Sequence, residues 1–127
     1  MSNRKEMLAA AERAILERRP GTLVGMLHVH LRRLRQISIA LDHDIADAVP
    51  GAAEERLRAF LRSADLVARI GEQDFMVVLP NLLSPGHAEL AAQRVLREFE
   101  RPLQVLGRLV EATVALVMRL CRSFDRA

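Results

Sequence analysis

Residues 68–80 read ARIGEQDFMVVLP: an apolar run, a polar tip of Gly71, Glu72, Gln73 and Asp74, and a second apolar run opening at Phe75. With Leu66 and Val67 in front, LVARI and FMVVL are short runs rich in strand-forming residues, joined by a tip of about four residues, which is the spacing of a β-hairpin. The rest of the chain can be arranged around that hairpin.

Upstream, residues 2–18 carry Met7, Leu8, Ala11, Ile15 and Leu16 at helical spacing, and Pro20-Gly21 ends the helix. TLVGMLHVH, residues 22–30, reads as a strand that is apolar on both faces at first and turns polar on one face at His28 and His30. A second helix follows through LRRLRQISIALD. Pro50-Gly51 is expected to break the chain before a third helix that places Ala53, Leu57, Phe60 and Leu61 on one face. Downstream of the hairpin, Ser84-Pro85 provides a helix N-cap and a proline at the first helical position. Ala88, Ala91, Ala92, Val95, Leu96 and Phe99 then fall on one stripe. Around Gly107, LQVL and LVEATVALVM suggest a second hairpin. Hairpins mixed with crossover helices predict an α+β domain, with helices packed on a mixed or antiparallel sheet.

The chain has 127 residues, enough for one domain with one hydrophobic core. Half of them are apolar, but aromatics are only 3%, so aliphatic side chains must fill the interior. Of 19 basic residues only Lys5 is a lysine. Arginine is the better phosphate ligand because its planar fork donates two parallel hydrogen bonds. The net charge is nevertheless only +3, and the arginines are scattered among acids as on solvated helix faces. With no basic run interleaved with aromatics, nucleic acid is not an expected partner. The lone Cys121 permits no internal disulfide, which suits a reducing compartment. No apolar stretch approaches the roughly 20 residues that cross a bilayer, and the amphipathic N-terminus is unlike a signal peptide. A cytoplasmic location without membrane partners is the expectation.

The stretch RLRAFLRSADLVARIGEQDFMVVLP resembles the core of the GGDEF family, the diguanylate cyclases that condense two GTP into cyclic di-GMP. In that family a helix ends in R-x-x-D, a strand of the type LVAR follows, then the tip GG(D/E)EF, then a strand ending in proline. Here Arg62 and Asp65 match the first motif, Gly71-Glu72-Gln73-Asp74-Phe75 the tip, and Pro80 the strand end. Asn3-Arg4 matches the end of the family's opening motif, HVHLRRLRQI aligns with D-h-D-x-F-K-x-I, and His43 with Asp47 matches G-H-x-x-G-D. TVALVMRL resembles the late strand T-x-S-I-G-I-A. The resemblance implies a single palm-like nucleotidyl-cyclase domain over residues 1–127, a central mostly antiparallel sheet flanked by helices. Relative to the family, the start of the opening motif and the closing helix with its lysine are expected to be missing.

By the same resemblance, two carboxylates hold divalent metal against the GTP phosphates, since hard cations require oxygen ligands. Those positions are His30 and Gln73 here. Neither supplies negative charge, so metal-assisted phosphoryl transfer is expected to fail, with no cofactor and no catalytic residue assigned. The second tip glycine is Glu72, the phosphate-contacting lysine is Arg35, and Asp74 is the only acid left in register. His28, His30 and Asp74 together could bind zinc; the plainer reading is polar residues at the exposed end of a strand.

R-x-x-D in active members is an inhibitory site for a cyclic di-GMP dimer, completed by a second Arg from the helix after the tip. Arg62, Asp65 and, with one inserted loop residue, Arg94 match it. The structural alternative is that Arg62 sits at a helix C-terminus, Asp65 caps the turn and Arg94 is a solvated arginine. Two roles stay open on the sequence: a receptor for cyclic di-GMP, or an interaction module that dimerises or regulates a partner such as an EAL-type phosphodiesterase domain.

Overall fold

The computed structural model of the protein describes residues 2–121, with the side chain of Ser2 left aside. In chain order the elements are α1 (Ser2–Glu17), β1 (Leu23–Arg32), α2 (Leu34–Ala40), α3 (His43–Phe60), β2 (Leu66–Arg69), β3 (Asp74–Leu82), α4 (Pro85–Glu98), β4 (Leu103–Val105), β5 (Arg108–Val110) and β6 (Thr113–Cys121). The main sheet has four strands in the order β2-β3-β1-β6, every neighbouring pair antiparallel. This is the α+β palm-like arrangement expected from the sequence.

Strand alternation sorts the apolar side chains between the two faces. One face carries Leu27, Val29, Leu31, Phe75, Val77 and Leu79 into a large cluster with Ile45, Val49, Ala53 and Leu57 of α3 and Ala88 and Val95 of α4. The other carries Val24, Met76 and Val78 into a smaller cluster with Met7 and Ala11 of α1. Only part of α1's expected stripe is buried, for Leu8 and Leu16 are 44% and 67% exposed. Leu96, expected on the inner stripe of α4, is likewise exposed.

The expected break at Pro50-Gly51 does not occur. α3 runs unbroken through Pro50, starting at the Asp42 N-cap, whose carboxylate accepts from Ile45 N. Proline inside a helix costs about 3 kcal/mol or more. Here Ile45, Ala46, Val49, Ala53 and Leu57 form one continuous buried face across the proline, and Pro50 is itself buried. That burial holds the helix together where local propensity would end it. β1 also runs further than expected, to Arg32, because its end pairs with β6 through Arg32↔Thr113. The second helix then shortens to start after Arg33, whose φ is 63°.

The second hairpin lies earlier than its apolar pattern suggests. β4 and β5 pair by themselves as a two-stranded sheet, turning at Leu106 and Gly107, whose φ values are 51° and 79°. Positive φ at both central residues is what a tight type I′ hairpin requires, and Gly107 supplies one at no steric cost. The apolar run that follows becomes β6 and joins β1 in the main sheet. The position expected for the family's closing helix falls outside the described residues. No helix among the described residues is long and apolar enough to cross a membrane.

Candidate functional sites at the two ends of one strand

At the start of β3, Asp74 is paired directly with His30 of β1, and His28 lies two residues earlier on the same face. His28 Nε2 and His30 Nδ1 each approach the same oxygen, Asp74 Oδ1, at 2.8 Å. An ionised carboxylate only accepts hydrogen bonds, so both rings donate. Burial alone would push the Asp74 carboxyl up, but the hydrogen bonds from His30 and His28, with their charge, outweigh it and hold the group below its ordinary value. The rings are 45% exposed and the Asp74 side chain 28%, so the group is a surface cluster. It brings together the three residues considered for zinc, but as hydrogen-bonded partners. No group of histidine, cysteine or acid side chains among the described residues is arranged to hold a metal ion.

The tip itself is braced by main-chain contacts. Arg69 donates from Nε to Gly71 O at 2.9 Å and from Nη2 to Glu72 O at 2.8 Å. Gln73 O accepts from Leu31 N at 2.7 Å, and Ile70 N donates to Asp74 O at 2.8 Å. Gly71 is closely approached: a Cβ there would stand 3.3 Å from Asp74 Oδ2. Phe75 is fully buried behind the tip. Glu72 is exposed, as are Arg35 at the start of α2 and Asp47 on α3. The clamp by Arg69 was not anticipated; an arginine facing two turn carbonyls leaves no periodic signal in a sequence.

At the other end of β3 lies a cleft of about 510 Å³ whose lining includes Phe60, Arg62, Asp65, Leu83, His87, Leu90 and Arg94. The fold thus gathers all three residues singled out from the R-x-x-D resemblance. Arg62 donates from Nε to Asp65 Oδ1 at 2.9 Å and from Nη2 to Pro80 O at 2.9 Å. Asp65 also closes the turn, accepting from Arg62 N at 2.8 Å through Oδ2. Its side chain is only 2% exposed, behind an Arg62 that is 49% exposed. The expected turn-capping role of Asp65 is therefore real. Among the described residues Arg62 Nη1 takes no protein partner, so two N–H donors stay directed outward. Arg94 sits over the Phe60 ring, 5.4 Å from its centroid.

Two further residues of the cleft escaped the sequence reading. Arg19 lies on its rim, tied through its backbone N to Asn81 Oδ1 at 2.8 Å. Asn81 has φ 55°, a left-handed conformation that asparagine tolerates better than most residues. The strand expected to end at Pro80 runs on to Leu82, and the Asn directly after that proline was the available signal. The arrangement can bind an anionic, planar ligand: guanidinium donors face a cleft with an aromatic and leucine lining.

Comparison with known proteins agrees with this geometry. The family model described as diguanylate cyclase, GGDEF domain, matches residues 1–119. The chain is 28% identical over 100 residues to cyclic di-GMP phosphodiesterase NbdA of Pseudomonas aeruginosa, covering 79% of this chain and 13% of that protein. It is 30% identical over 82 residues to diguanylate cyclase TpbB of the same species, covering 65% and 19%. The crystal structure of the GGDEF domain of TpbB superposes with TM-score 0.85 at 27% identity, covering 93% of this chain and 74% of that one. The FimX GGDEF domain from Pseudomonas aeruginosa has TM-score 0.83 at 19% identity, covering 98% and 78%, a likeness of fold. The chain spans less than a fifth of the length of the NbdA and TpbB proteins it matches.

Proposed function

We propose, for a chain that belongs to the GGDEF family and so to the domains of cyclic di-GMP signalling proteins, that it no longer makes cyclic di-GMP and instead binds it. The observation that carries the reading is the single cleft lined by Arg62, Asp65 and Arg94. Arg62 is pre-oriented by Asp65 and the Pro80 carbonyl, so its outward N–H pair reaches a phosphate or a guanine edge with little ordering cost. Asp65, turned toward Arg62, acts mainly by holding that guanidinium.

Loss of catalysis rests on the tip. The positions that the family resemblance assigns to metal-binding carboxylates are Gln73 and His30, and the one acid in register, Asp74, is taken up by two histidines. A magnesium ion would find one committed carboxylate where it needs several oxygens.

Isothermal titration with cyclic di-GMP of the purified protein, Arg62→Ala and Arg94→Ala, with GTP as control, tests the reading. Binding by the wild type that is weakened about tenfold or more in both variants, with unchanged circular dichroism, supports a receptor. No heat from a folded sample overturns it. Cyclic di-GMP formed from GTP and Mg²⁺ overturns the loss of catalysis. A second reading, a docking site for a partner such as an EAL-type phosphodiesterase domain, is favoured by Leu83 and Leu90, which are 70% and 63% exposed at the same cleft.

A further inference from the structure

The described residues contain two arginine–aromatic contacts, Arg56 over Phe99 at 5.7 Å and Arg94 over Phe60 at 5.4 Å. They are held very differently. Arg56 also donates to three carbonyls, Glu98 O at 2.9 Å, Arg101 O at 2.6 Å and Pro102 O at 2.8 Å. Its ring contact adds little to a guanidinium already fixed at the end of α4. Among the described residues Arg94 makes no side-chain hydrogen bond, and its other attraction is the long-range pull of Glu98, one turn further along α4. Glu98 is already hydrogen-bonded to Arg101. Among the described residues the Phe60 ring is thus the contact against which the Arg94 guanidinium rests where both line the cleft.

We infer that Phe60 is a positioning residue for the cyclic di-GMP site: its ring holds Arg94 in the cleft, ready for the ligand's phosphate or base edge. The inference rests on the receptor reading above. Phe60 closes α3 and is partly buried against the core, so an alanine there would confound binding with folding. Phe60→Leu keeps an apolar side chain, and Phe60→Tyr keeps the ring.

The test is a double-mutant cycle read by titration with cyclic di-GMP. Phe60→Leu should weaken binding about two- to fivefold, the worth of an exposed cation–π contact, and Phe60→Tyr should bind as the wild type does. In an Arg94→Ala background, Phe60→Leu should have no further effect. If Phe60→Leu costs the same with and without Arg94, or nothing at all, Phe60 merely packs and the inference falls while the receptor reading stands. If the folded wild type takes up no cyclic di-GMP, the receptor reading falls, and this inference with it.

Discussion

The two ends of β3 carry the protein's two polar sites, and they are built in opposite ways. At the first end the Asp74 carboxylate and two tip carbonyls are answered from within: two histidines share Asp74 Oδ1, and Arg69 clasps the carbonyls of Gly71 and Glu72. At the second end the guanidinium groups are aimed but not saturated, since Arg62 keeps an outward pair of donors and Arg94 rests on a ring. A closed network makes a stable turn, whereas an oriented and unsaturated one makes a binding surface. Likeness to a cyclase draws attention to the tip, whereas the cleft proposed to bind is lined from the same strand by Leu79, Asn81 and Leu82, about eight residues further along.

The harshest way to break this contrast is to remove what both ends share. Phe75→Ala empties a fully buried position directly behind the tip, and should cost about 3–5 kcal/mol in a urea melt. Both sites should then be lost together. Next in size, Arg62→Ala should weaken cyclic di-GMP binding about ten- to a hundredfold, the worth of one or two charge-assisted hydrogen bonds. Gln73→Ala at the tip should leave that affinity within twofold of the wild type, about the scatter expected for distant sites. Equal effects from the two substitutions would erase the distinction.

A smaller effect is expected at low pH. The Asp74 pKa in the folded state is depressed, so its contribution to stability is complete above the unfolded carboxyl value of about 3.9 and disappears as pH falls through the lower folded value. Asp74→Asn should flatten that part of the melting-temperature profile below about pH 4. An unchanged profile would mean that the histidine pair does not favour the ionised form. Smallest, Asn81→Ala should be less stable than Asn81→Gly by about 1 kcal/mol in a urea melt, since both lose the hydrogen bond from Arg19 N but only alanine must force the positive φ.

The order of elements was legible because strand alternation and helical stripes are local records of burial. Where the reading failed, a distant contact had overruled a local signal. Pro50 punctuates the sequence, yet α3 passes through it because its buried face is continuous on both sides. LVEATVALVM looked like one arm of a hairpin, yet only Leu109 and Val110 stayed with β4, and the run from Thr113 onward paired with β1, far away in the chain. In the candidate site, Arg62, Asp65 and Arg94 were found by motif and are gathered as expected. Phe60 was read only as core, since its second role depends on a guanidinium 34 positions later, as the numbering of the pair gives.

α1 and the turn that follows it are tied beside both sites. Asn3 donates to Arg69 O beside the tip at 3.1 Å, while just past the helix Arg19 N donates to Asn81 Oδ1 at the cleft rim at 2.8 Å. Between those ties it rests on the smaller of the two apolar clusters. The leading helix is thus a strut tied near the tip through β2 and near the cleft through Asn81. Its amides should exchange with deuterium before those of β1, and each opening would loosen the ties at tip and cleft in the same event.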